Sequence, residues 1–486
     1  MSAGRERADV VVVGSGAGGA PAAALLAEAG LEVLLLEAGA RFETRDFDGN
    51  ERGMLARLMR TATAADGGVE LYAGACVGGS TVVNDALCWR PPPAVLEEWR
   101  RTHGLTGVDA AALAPWVEHV WQELGAAVPE RLSRNARALA DGARRLGWRG
   151  EAMARNVRGC ANLGLCNLGC PTGAKQSALV TWVPRAERAG ARVLARTRAE
   201  RVVIEAGRVR GVEAMRLDPA SGAHAGTLRI DAPRVVLAAG VLETPALLLR
   251  SGIAAGAGIQ FHSSAYVTAR FAEPILGFYG PTMSYAVTEF SDVFAGGAPG
   301  FMLENVTVSP AVTAGSLPGF GAELERVMRA LPHLARAVVV LRDETRGRVA
   351  LDREGRATIF HAPIAGDLAR MRTALARLAE LYLAAGAEEV WLPVEGLGPV
   401  RDARGLRALE GRLRSPRELT LLYAVHLFGG AAMGGGAGAV CDEQGRVRGV
   451  SGLYVSDASA LPSNTGVNPQ VTIMANALRI AAGMAP

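Results

Sequence analysis

Residues 9–13, Asp-Val-Val-Val-Val, form a short β-branched run that stops at Gly14, the pattern of a strand buried on both faces. After a glycine cluster, the Ala- and Leu-rich stretch from Ala20 to Gly30 reads as a helix. Glu32-Val33-Leu34-Leu35-Leu36 then reads as a second strand ending in Glu37. Further strand-like runs fall at 192–194, 200–204 and 235–237, and Ala-rich helices at 96–155. A strand is expected from Ala265 to Phe271, helices near 320–336 and 366–385, and a last helix from Gln470 to Ala482. Strands alternating with helices around a buried parallel core, then a mixed middle, predict an α/β fold, α+β overall.

The segment Gly14-Ser15-Gly16-Ala17-Gly18-Gly19 lies between the first strand and the first helix. In a strand–turn–helix–strand unit, Gly14 permits the tight turn. Gly16 lets a diphosphate approach the backbone, and Gly19 lets helix and strand pack closely. The helix N-terminus offers unpaired N–H groups to phosphate. Glu37 stands where a carboxylate accepts ribose hydroxyls, which disfavours a 2′-phosphate. This is a Rossmann-like dinucleotide-binding start. A second small-residue stretch, 73–84, contains Val77-Gly78-Gly79-Ser80-Thr81-Val82-Val83-Asn84. Its valines argue that this loop is buried, and its glycines let a backbone lie flat against a planar or anionic group.

Composition narrows the field. Hydrophobic residues make up 49% and charged residues 21%, enough for a large core. The net charge of +4 is mild, and no basic block interleaves with aromatics, which argues against nucleic-acid binding. No apolar run is long enough to span a bilayer, and Val10 to Val13 begin the fold before any signal-peptide core could form. The expectation is a cytoplasmic protein, or one peripheral to a membrane. Six cysteines in that compartment do not suggest a disulfide scaffold.

Four separated motifs keep one order: Gly14 to Glu37, the 77–84 loop, Ala238-Ala239-Gly240 through Thr244-Pro245 to Ser251-Gly252-Ile253, and a C-terminal block. Together they resemble the glucose–methanol–choline (GMC) oxidoreductases, nearest the cholesterol oxidase-like and long-chain alcohol oxidase-like branches. The resemblance implies FAD as cofactor, held by Gly14, Gly16, Ala17, Gly19, Glu37, Ala38, Gly78, Gly79, Ser80, Asn84, Ala239, Asp457, Ala458, Asn468, Pro469 and Gln470. Val202 and Val203 are expected on the adenine side. Some relatives attach the flavin through a His in or just after the Gly-Gly-Ser loop. Residues 80–85 here are Ser-Thr-Val-Val-Asn-Asp, so non-covalent FAD is expected. The implied FAD-binding domain comprises 1–95, 156–260 and 420–486. A substrate or cap domain of 96–155 and 261–419, built on a mostly antiparallel sheet with helices, is interleaved with it.

In that family a His before a glycine stretch and a His or Asn in the last block flank the reactive edge of the flavin. Here those positions are His426 and Asn468. The implied reaction is oxidation of an alcohol to an aldehyde or ketone. His426 is expected as the base, because an unperturbed imidazole titrates near working pH, and the Asn468 amide as an orienting donor. Aromatic residues within 261–310 (Phe261, Phe278, Tyr279, Tyr285, Phe301) and Met283 read either as core or as the lining of an apolar pocket, and as a pocket they imply a hydrophobic primary or secondary alcohol. Oxygen, a quinone or an electron-transfer protein would take the electrons.

Cys160, Cys166 and Cys170 follow a C-x5-C-x3-C-P spacing among glycines. Three thiolates could hold an iron–sulfur cluster, as in sugar dehydrogenases of the same family; tight packing alone is the other reading. Lys175, the single lysine of the chain, lies just beyond. A sugar or polyol dehydrogenase using a Cys160, Cys166 and Cys170 cluster is one alternative function, and a hydroxynitrile lyase-like or non-redox flavoprotein of the same fold is another.

Overall fold

The computed structural model describes residues 4–486. Five parallel strands form the nucleotide-binding sheet, in the order Arg192–Leu194, Val33–Leu36, Val10–Val13, Arg234–Leu237 and Leu453–Val455. The first strand is central, so its four valines are buried on both faces. Each contributes roughly 1.5–3 kcal/mol by leaving water. Helices Gly19–Glu28, Trp182–Arg188 and Gln470–Ala482 pack together beside it. A four-stranded sheet, Gly4–Arg7, His224–Asp231, Arg208–Leu217 and Thr197–Glu205, flanks this part.

The second large element is a nine-stranded sheet. Its core order is Tyr423–Ala424, Ser264–Arg270, Leu334–Leu341, Phe301–Asn305 and Tyr285–Val287, paired antiparallel throughout. Strands Met59–Thr63 and Glu70–Gly74 extend it, and Glu70–Gly74 pairs parallel with Tyr423–Ala424. These three strands come from segments assigned to the nucleotide-binding part, so the pairings cross the boundaries at 95 and 420. The helix Ala365–Ala385 covers this sheet and buries Leu368, Met371, Leu375, Leu378 and Tyr382 at helical spacing before ending at Gly386 in the left-handed region.

The helix expected near 320–336 is shorter, Ala322–Arg329. Pro332 lacks an N–H to continue it, and the valine-rich run beyond it forms the strand Leu334–Leu341 instead. The expected aromatic pocket is also redistributed. Phe261 stacks on His361 and Phe301 on Phe290, while Phe278 and Tyr279 are exposed. Among the described residues no helix is long and apolar enough to cross a membrane.

Candidate active site

A cavity of about 910 Å³ runs between the two sheets. At one end lies the Gly14–Gly18 turn. Gly14 has φ 97°, and a Cβ there would stand 2.2 Å from the Ala238 carbonyl oxygen, so the turn admits only glycine. Ser15 donates from its backbone N–H and its hydroxyl to Glu37 Oε2 (3.1 and 2.6 Å), and Ser15 Oγ accepts from the Gly78 N–H at 2.9 Å. Glu37 Oε1 accepts from the Gly39 N–H at 2.8 Å. A Cβ on Gly79 would lie 2.8 Å from Gly16 Cα, so the two glycine loops meet backbone to backbone.

Gly14, Gly16, Ala17, Glu37, Ala38, Gly79, Ser80, Asn84, Ala239, Asp457, Ala458, Pro469 and Gln470 all line this cavity. Gly19 and Gly78 do not line it; a Cβ on Gly19 would meet the Gly14 carbonyl oxygen at 1.8 Å, and one on Gly78 the Val82 side chain at 2.7 Å. Val202 and Val203 do not line it. The strand Thr197–Glu205 reaches the cavity only at Thr197–Ala199, and the Val202 N–H is bonded to Ser251 Oγ at 2.9 Å. Asp457 is a clamp within the protein. Its Oδ2 accepts from the Gly240 N–H and the Thr244 hydroxyl (2.7 and 2.6 Å), and its Oδ1 from the Ser459 N–H and hydroxyl (2.8 and 2.5 Å). Four donors fill the carboxylate's lone pairs, leaving none for a ligand hydroxyl.

At the other end, His426 and Asn468 line the same cavity, with apolar walls from Tyr266, Met283, Val306, Val338, Val340 and Tyr423. His426 Nδ1 lies 3.2 Å from His262 Nδ1, with the rings edge to face. His262 is fully buried, and its Nε2 accepts the Gly466 N–H at 3.0 Å. Burial pushes His426 down to about 4, and burial, His426 and Arg342 hold His262 well below the usual imidazole range. Both rings are neutral at pH 7. The imidazole expected to titrate near working pH is held below it, because losing water disfavours its cation.

Two acids here escaped the sequence. Glu304 lines the cavity on the strand Phe301–Asn305, and its Oε2 accepts from Asn468 Nδ2 at 3.4 Å. Burial, with a smaller push from Asp85, raises its carboxyl to about 8 against the Asn468 bond. Asp85 is raised by burial as well. Glu304 Oε1, Asp85 Oδ1 and Asn468 Oδ1 are buried with no hydrogen-bond partner in the protein. The signal for Glu304 was a charged residue inside the apolar run Phe-Met-Leu-Glu-Asn.

The three cysteines do not converge as cluster ligands. Cys160 is exposed and Cys166 buried, with its Sγ 3.2 Å from Arg155 Nη2. Cys170 Sγ receives the Lys175 N–H at 3.5 Å. Among the described residues no group of three His, Cys, Asp or Glu side chains is placed to hold a metal. The segment fits an iron–sulfur centre poorly and packs instead. Lys175 Nζ donates to the carbonyls of Val82, Asn84 and Cys166. Burial pushes that ammonium down to about 8.

The GMC oxidoreductase family description matches residues 9–264 in its N-terminal part and 343–477 in its C-terminal part. The chain belongs to the GMC oxidoreductase family. A GMC-type oxidoreductase of Mycobacterium tuberculosis is 38% identical over 488 residues, covering 98% of this chain and 75% of that protein. The long-chain-alcohol oxidase FAO4B of Arabidopsis thaliana is 31% identical, covering 97% of this chain and 66% of that protein. The structure of an Aspergillus oryzae formate oxidase, solved for the effect of a mutation on its FAD modification, superposes with a TM-score of 0.72 at 17% identity, covering 99% of this chain and 98% of that one. This GMC oxidoreductase is thus a flavoprotein oxidoreductase. Its cavity is lined by the Gly14–Gly18 turn, by His426 and Asn468, and by Gln470, the first residue of the Gln470–Ala482 helix. Gln470 donates to Asn156 Oδ1 at 3.1 Å and accepts from Asn84 Nδ2 at 2.9 Å, which ties the second glycine loop to that helix.

Proposed function

We propose that the chain oxidises a hydrophobic primary or secondary alcohol to its aldehyde or ketone with non-covalently bound FAD. One observation carries this reading: a single cavity joins the Gly14–Gly18 turn to half-buried His426 and buried Asn468 and Glu304 set among apolar walls. The orphaned oxygens of Glu304, Asp85 and Asn468 support a ligand with polar atoms at that end, because unpaired buried polar groups are costly. The N-terminus of the Gln470–Ala482 helix carries no side-chain cap and borders the cavity. Such an end favours negative charge, as a reduced flavin ring would present. Residues 80–85 offer no imidazole for covalent attachment.

When bound, FAD supplies the two-electron acceptor for the carbinol hydrogen. The protein holds the carbinol and manages its hydroxyl proton. Asn468 donates through Nδ2 to Glu304 Oε2 and so holds that carboxyl in place, and the unpartnered Glu304 Oε1 accepts from the hydroxyl. Glu304 receives the proton: a carboxyl at about 8 is matched to work near neutral pH, whereas an imidazole at about 4 is a weak base. The base role expected for His426 therefore passes to Glu304, and His426 serves as a neutral hydrogen-bonding group on the substrate oxygen.

The test is anaerobic mixing of the flavin-loaded protein with straight-chain alcohols and with sugars. Bleaching of the flavin by long-chain alcohols, faster than by sugars, is the expected result. A flavin that keeps its colour with every alcohol would reject the reading in favour of a lyase or non-redox role. Readmitting air, or adding a quinone, identifies the acceptor.

A further inference from the structure

We propose that His262 is a positioning residue that fixes the tautomer of His426, so that His426 presents a protonated Nε2 to the substrate. The inference deepens the alcohol-oxidation reading and rests on it for its functional meaning.

Hydrogen-bond polarity decides the assignment. A backbone N–H can only donate, and the Gly466 N–H points at His262 Nε2 at 3.0 Å. That nitrogen must carry a lone pair. A neutral imidazole has one protonated and one bare nitrogen, so the His262 hydrogen sits on Nδ1. His262 Nδ1 faces His426 Nδ1 at 3.2 Å. The hydrogen between them belongs to His262, so His426 Nδ1 is the acceptor and its own hydrogen sits on Nε2. The opposite arrangement would set two N–H groups against each other at Gly466, leaving buried donors unmade. Protonating His262 on both nitrogens creates the same clash and places a cation in a fully buried site near Arg342.

His262 is well held for this task. Its backbone N–H donates to the His426 carbonyl at 3.1 Å, and its ring lies 5.0 Å from that of Phe428. It bridges the segment carrying His426 to Gly466, two residues before Asn468. A His426 Nε2–H donates to the carbinol oxygen and stabilises the charge that builds there as the hydroxyl proton leaves. It has no lone pair at Nε2 with which to take that proton.

The experiment uses the flavin-loaded protein labelled with 15N-histidine. Long-range 1H–15N correlation assigns each ring nitrogen, and His426→Gln identifies the His426 signals. The expected result is a protonated Nε2 and a bare Nδ1. In His262→Gln, which can accept from Gly466 but has no donor at the Nδ1 position, the His426 signals should average over both tautomers. Flavin reduction by alcohol should then fall roughly tenfold, the scale of one misdirected hydrogen bond, with little change in KM. In His262→Asn, whose carboxamide N–H sits where Nδ1 did, the wild-type signals and rate should return. A wild-type His426 bare at Nε2, or a His262→Gln variant that folds with unchanged tautomer signals, overturns the proposal. If the variants fail to fold, the wild-type spectrum decides alone. The spectrum needs no turnover, so a protein inert to alcohols would reject the proposed reaction and leave the tautomer assignment to be judged separately.

Discussion

The two ends of the cavity are built in different ways. At the Gly14–Gly18 end, the turn and its acid are close in sequence, Ser15 and Glu37 being 22 residues apart, and the second glycine loop joins them from 63 residues away. The contacts there run between backbone amides and the side chains of Ser15 and Glu37. At the His426 end, His262 meets His426 and Glu304 meets Asn468 across 164 residues each. The groups there are side chains brought together by sheet pairing. Recognition of a cofactor's phosphates can be written in a local motif. Tuning of proton affinity needs burial, and burial is a property of the assembled sheets.

That contrast can be broken experimentally. Glu304→Gln should slow alcohol-driven flavin reduction by about 10² to 10⁴-fold, the range for loss of a general base, while FAD affinity, read by flavin fluorescence, stays near wild type. A comparable loss of FAD would mean the two ends are not separable. The wild-type reduction rate should climb about tenfold per pH unit below 8 and level off above it, because Glu304 must be ionised to act and is raised to about 8; stopped-flow profiles should lose this limb in Glu304→Gln. The same shift has a stability sign. The folded carboxyl holds its proton above the range where the unfolded one has lost it. Its contribution is complete below about pH 4.5 and disappears as pH rises through about 8. Calorimetry should show the wild-type Tm falling relative to Glu304→Gln across that window. Gly79→Val should act on the opposite end. Its φ of 54° and 2.8 Å approach to Gly16 should weaken FAD binding roughly tenfold, with residual bound flavin still reduced at near the wild-type rate. Cys160→Ser should change neither the visible spectrum nor the rate, since Cys160 is exposed and outside the cavity.

Features written in short-range pattern were legible in the sequence. The Val10–Val13 strand, the glycine turn, the Glu37 acid and the last helix, Gln470–Ala482, are where the periodicity and motif place them. Thirteen of the expected cofactor residues besides Asn468, and both expected catalytic residues, reach one cavity. The misses share a cause. Val202 and Val203 sit on a strand whose near end alone reaches the cavity. The cysteine spacing suits thiolate ligands, yet its loop turns Cys160 outward and Cys166 toward Arg155. His262 and Glu304 belong to runs that read as ordinary strand, and their importance comes from neighbours far away along the chain.

Lys175 has a practical consequence. Being the single lysine side chain of the chain and held by three carbonyls, it gives the native fold no reactive side-chain amine. Acylating reagents should spare it until the loop around Val82 and Asn84 opens. Mass spectrometry of pulse-acylated protein would then report, at one residue, how often the wall beside the flavin cradle breathes.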